Sequence, residues 1–148
     1  MNIQLLDIHL INFFKKISVP VARLSLFIIY FWFGFLKIID QSPANPLVSD
    51  LLSKTLPFMS FELFIILFGL FEMLIGILFL VPKLERVVIP LLFIHMITTA
   101  LPLFFLQQIS WSRFMIPTLE GQYIIKNIAL ITCAIGIASH MKPLKVLK

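Results

Sequence analysis

The sequence predicts an all-α membrane protein, a bundle of four transmembrane helices preceded by an N-terminal amphipathic helix at the membrane interface. Three observations carry that expectation. Of the 148 residues, 60% are hydrophobic and 13% charged, with a mean hydropathy of +1.05, against roughly 45–50% apolar and 25% charged in a soluble domain. Four apolar runs each approach the ~20 residues that a spanning helix needs. Between them stand helix breakers and charges: Pro43, Pro46 and Pro57, then Pro82 with the stretch KLER, then Pro117 with Gly121.

The first element covers residues 1–18. Ile3, Leu6, Leu10, Phe13 and Ile17 recur at helical spacing, with Gln4, Asp7 and Lys15 on another face, the pattern of a helix lying on a membrane surface. No small-residue cleavage site follows it, and Asp7 and His9 interrupt any signal core, so a cleaved signal peptide is not expected. The four spans then fall at residues 19–39, 61–81, 87–106 and 122–141, forming one domain of residues 19–141 with a basic tail at 142–148.

Basic residues near span ends set the expected direction. Lys15, Lys16, Arg23, Lys83, Arg86, Lys142, Lys145 and Lys148 fall on one side, and Lys37, Lys54, Arg113 and Lys126 on or just inside the other. This bias of eight to four puts both termini in the cytoplasm. The net charge of +5 therefore reads as topology, and no basic stripe suggests a nucleic-acid partner. Trp111 and Tyr123 suit the opposite aromatic belt.

Each span carries a small or polar stripe, because residues three, four and seven apart share a helical face. Arg23, Tyr30 and Lys37 form one on the first span; Gly69, Glu72 and Gly76 on the second; His95, Thr98 or Thr99, and Pro102 on the third; Lys126, Ala129, Cys133, Gly136 and His140 on the fourth. At ~1.5 Å per residue, Glu72 lies roughly 16 Å into its span, near the midplane, and Tyr30, His95 and Cys133 lie at similar depth. An ionised carboxylate there must be paired or protonated. Lys126, Lys37 and His95 are the available partners, with a lysine stem reaching part of the way from above. Trp32 and Tyr30 are either packing groups or a stacking surface for a planar ligand.

Several chemistries are disfavoured. A bis-histidine haem site is not expected, since His9 lies in the surface segment and His140 near the far end of its helix. Cys133 is the only cysteine, which excludes an intrachain disulfide, a CxxC pair or a cysteine zinc cluster. No phosphate loop, Ser/His/Asp set or metal-binding cluster is evident in the sequence.

The ordered motifs RLSLFIIYFWFGFLKII, SPANPL, GLFEMLIGILFLVP and LEGQYIIKNIALI resemble those of DoxX-like integral membrane proteins, in particular the YkgB-like branch, over about residues 23–140. The resemblance implies a four-helix inner-membrane protein. Relatives in that family include a small membrane subunit of thiosulfate:quinone oxidoreductase and proteins linked to oxidative stress. The positions that match are Arg23, Gly34, Lys37, Glu72, Gly76, Lys126 and Asn127. The first loop looks shorter here than in longer members of the branch. The leading functional expectation is an intramembrane polar site for a lipophilic molecule such as a quinone, in an accessory subunit of a membrane oxidoreductase rather than a lone catalyst. The partners would be the lipid bilayer, a membrane or periplasmic redox protein, and a second copy of the chain. A structural or assembly role and a small transporter are the alternatives.

Overall fold

In the computed structural model, which describes residues 3–144, helices dominate. Four are long and apolar enough to cross a membrane: residues Ile3–Ile38, Phe61–Leu80, Glu85–Phe105 and Leu119–Ala138. The chain is thus an all-α four-helix bundle of the multi-pass membrane class. Lys145 and Lys148 lie outside the described residues.

Helix α1, Ile3–Ile38, merges two expected elements. Its 36 residues extend about 54 Å, well beyond a hydrocarbon core of about 30 Å. The N-terminal segment is helical as expected, but it continues into the first span instead of ending before it. No residue from Ile3 to Lys16 is covered by the bundle, and Phe14 is 60% exposed. Pro20 sits inside the helix, where it removes one backbone donor just past the junction.

Helix α2, Asn45–Thr55, occupies the first loop and starts with proline in its first turn, where a missing N–H costs nothing. Helix α3 is Phe61–Leu80. A tight turn with Lys83 at φ 72° leads to α4, Glu85–Ala100, and Leu101 joins it to the short α5, Pro102–Phe105. After α6, Gln107–Ser110, the chain makes a small antiparallel hairpin, β1 Trp111–Arg113 with β2 Ile116–Pro117. The last span is α7, Leu119–Lys126, and α8, Ile128–Ala138, interrupted only at Asn127. Thr118 caps α7 by accepting a hydrogen bond from the Gly121 amide.

Helices α1 and α3 run antiparallel in close contact because glycines allow it. A β-carbon on Gly34 would lie 2.5 Å from the Gly69 carbonyl oxygen, and one on Gly69 would lie 2.7 Å from that of Gly34. Gly76 meets the Phe31 amide nitrogen in the same way, at 2.9 Å. The close helix approach that Gly69 and Gly76 permit is therefore made within the chain. Around this pair, α4 and α8 close a core of Leu26, Ile75, Phe79, Val88, Leu92, Ala134 and Ile137. Most exposed large side chains belong to the lipid-facing sides of the spans, Trp32 at 59% among them.

Arg23 is held more firmly than a side chain reaching for water would be. It forms an ion pair with Glu85 at the start of α4 and donates to the Phe79 carbonyl at the end of α3, a carbonyl left without a helical partner there. One guanidinium thus ties three helices together at the end that carries the N-terminal arm, called here the basic end; the opposite end is the loop end.

Candidate functional site

Four polar side chains from three helices form a continuous chain inside the bundle. Lys37 Nζ donates to Glu72 Oε2 at 2.6 Å, and Glu72 Oε1 lies 2.9 Å from His95 Nε2. His95 Nδ1 in turn lies 3.2 Å from the Tyr30 hydroxyl. All four residues are buried: Lys37, Glu72 and His95 are each 5% exposed and Tyr30 is 3%. One proton arrangement satisfies these contacts with a neutral imidazole: Nε2–H donates to the carboxylate and Nδ1 accepts from the tyrosine hydroxyl. The ammonium and the carboxylate then neutralise each other, as a charge in hydrocarbon requires.

Aromatic rings complete the enclosure. Phe68 stacks on the His95 ring, 5.1 Å between centroids and 16° between planes, and its face lies 5.6 Å from Lys37 Nζ. A ring face next to an ammonium adds a cation–π attraction. Phe64 stacks on Phe68 at 5.5 Å, and Tyr30 meets the imidazole edge-on at 5.1 Å. With Phe71 tilted against it at 6.1 Å, the imidazole is therefore fixed by two hydrogen bonds and three rings.

Of the residues singled out in the sequence, the fold brings together Glu72, Lys37, His95 and Tyr30. It leaves three apart. Lys126 is exposed and packs its ammonium over the Tyr123 ring at 5.2 Å, so the expected reach toward Glu72 is not observed. The reason is direction: side chains tilt toward the N-terminus of their own helix, and Lys126 on α7 therefore leans to the loop end, away from the midplane. Trp32 faces outward, and Asn127 is half-buried at the α7–α8 junction, where its carbonyl accepts from the amides of Leu130 and Ile131.

Sequence reasoning missed Phe68 as a wall of the site and Glu85 as the partner of Arg23. The first had a usable signal, because Phe68 precedes Glu72 by four residues and must share its face. Glu85 stands only two residues beyond Lys83, within a stretch read there as a charged turn. Among the described residues, no group of three or more His, Cys, Asp or Glu is placed to hold a metal ion.

Fold and site together define a class: a multi-pass four-helix membrane protein with a buried polar chain across three of its spans. Comparison of the chain with family models, curated proteins and solved structures finds no match.

Proposed function

We propose that the protein is a DoxX-like inner-membrane protein, with both termini in the cytoplasm, that binds a lipophilic small molecule of the quinone class through the Lys37 end of the polar chain. The observation that carries this reading is the donor count at Lys37. An ammonium has three N–H donors, and Glu72 Oε2 is its one hydrogen-bond acceptor among the described residues. A ring oxygen of a bound molecule is a suitable second acceptor, and Phe68 and Phe64 offer a planar surface beside it. The Tyr30–His95–Glu72 chain would then deliver or take up a proton at the lysine. Nothing in this role requires the chain to carry electrons, so it fits an accessory subunit beside a membrane oxidoreductase.

The test is retention of a lipophile. Protein purified in a mild detergent is examined by mass spectrometry for co-purified quinone and titrated with decylubiquinone. Wild type should bind it, and Lys37→Met, checked for native helicity by circular dichroism, should lose it. Absence of any bound or titratable lipophile from folded wild-type protein refutes the proposal.

A second reading, a structural lock, is favoured by the near-complete burial of all four groups beside the Gly34–Gly69 contact. It requires Glu72→Gln and Lys37→Met to lower stability while decylubiquinone binding, normalised to folded protein, stays the same.

A further inference from the structure

A groove of about 220 Å³ runs between α1 and α8 at the basic end, lined by Ser18, Val19, Ala22, Cys133, Gly136, Ile137, Ser139 and His140. Gly136 is what opens it: a β-carbon there would meet nothing within 4 Å. The wall is mostly hydrocarbon along the eight residues from Cys133 to His140, about 10 Å of chain at helical rise, and it becomes polar at its mouth. There Ser139 and His140 both hydrogen-bond the Gly136 carbonyl, using Ser139 Oγ and His140 Nδ1, which leaves His140 Nε2 without a partner in the described structure.

The charge around this mouth has one sign. Lys15 continues the Ser18, Val19 and Ala22 face of α1 by one turn, and the Ser18 hydroxyl donates to its carbonyl. Lys16 and Lys142 are exposed nearby in sequence, and Arg86 holds the Lys142 carbonyl at 2.6 Å. Of the acidic residues at this end, Glu85 is already paired with Arg23. Asp7 is two turns further along α1, on a different face from Lys15.

We infer that this groove is a binding site for one anionic phospholipid, an acyl chain lying between α1 and α8 and the phosphate held by Lys15 with His140 and Lys142 at the mouth. An apolar slot ending in cationic side chains at a membrane boundary fits that occupant. A neutral lipid could fill the slot but would gain nothing from the lysines, and a free phosphate would gain nothing from the slot. The site is separate from the Lys37–Glu72 chain and does not depend on the function proposed for it.

The test uses the full chain in a neutral detergent, with native mass spectrometry against equimolar phosphatidylglycerol and phosphatidylcholine of identical acyl chains. Wild type should keep one phosphatidylglycerol in clear preference to phosphatidylcholine. Lys15→Ala, an exposed change, should reduce that preference about fivefold, the factor for one basic side chain at an anionic surface. Gly136→Leu, which fills open space, should abolish the bound lipid, whereas Gly136→Ala should retain it. Equal retention of the two lipids, an unchanged preference in Lys15→Ala, or displacement of the lipid by millimolar inorganic phosphate alone would overturn the assignment.

Discussion

Replacing Lys37 by methionine tests the buried chain most directly, because it removes the ammonium paired with Glu72 and leaves the acid no route to water. Glu72 is eleven residues from the start of α3 and eight from its end, about 16 Å and about 12 Å, so its short side chain cannot reach either surface. The folded variant then keeps a buried acid whose one remaining side-chain partner is His95, and removing one partner of a buried pair costs roughly 3–5 kcal/mol. Glu72→Gln should cost less, about 1 kcal/mol: the glutamine oxygen still accepts from His95, and Lys37, in the last turn of α1, can extend its stem to the head groups. Reversible unfolding in mixed micelles, followed by circular dichroism, measures all three proteins. A Lys37→Met variant as stable as wild type, or one that loses no more than Glu72→Gln, would refute the reasoning.

Other outcomes follow from packing. Gly34→Ala should cost more than about 3 kcal/mol, because its new methyl meets backbone atoms that cannot move aside; Gly136→Ala should gain up to about 1 kcal/mol from helix propensity alone. The same unfolding assay ranks the two, and equal effects would contradict the packing. A double-mutant cycle on Arg23 and Glu85 should give a coupling of about 1–2 kcal/mol, since the pair is mostly buried, with Arg23→Ala costing more than Glu85→Ala through the lost bond to the Phe79 carbonyl. Thr118→Ala should cost about 1 kcal/mol and expose the start of α7 to faster amide exchange.

Span number and approximate bounds were legible in the sequence because hydrophobic length and breakers report them without tertiary information. The merging of the N-terminal segment into α1 was not, since an amphipathic surface helix and a membrane span share the same 3.6-residue period, and Pro20, the one breaker at the junction, is accommodated inside the helix. Three of the four members of the buried chain were legible in type: depth grouped Tyr30, Glu72 and His95, together with Cys133, which packs against the apolar core instead. Depth could not choose between Lys37 and Lys126, because both stand nearer the loop end than Glu72 and each could be drawn reaching down to it. The hairpin and helix α2 were hidden for a simpler reason, as both lie in connections whose local signals are only prolines and polar residues.

What decides between the two lysines is helix direction combined with the glycine contact. Gly34 and Gly69 fix where α1 and α3 touch. From that point Lys37 lies three residues on along α1, and Glu72 lies three residues on along α3. Because the helices are antiparallel, the two are displaced in opposite senses, about 4.5 Å each way and about 9 Å apart along the axis. Side chains lean toward the N-terminus of their own helix, so the Lys37 stem leans to the basic end and the Glu72 side chain to the loop end, each toward the other. A four-carbon stem and a two-carbon stem close that gap, and the atoms meet at 2.6 Å. The same rule turns Lys126 away, since α7 runs in the same sense as α3 and its lysine leans to the loop end, over Tyr123. Exchanging the lysine for a shorter cation tests this geometry separately from the charge. Ornithine incorporated at position 37, one methylene shorter, keeps the ammonium but should weaken the contact and lose part of the stability that Lys37→Met loses in full; an ornithine protein indistinguishable from Lys37→Met would mean that reach, as well as charge, is indispensable, and one indistinguishable from wild type would show that the pair does not depend on the span between the glycine contact and the acid.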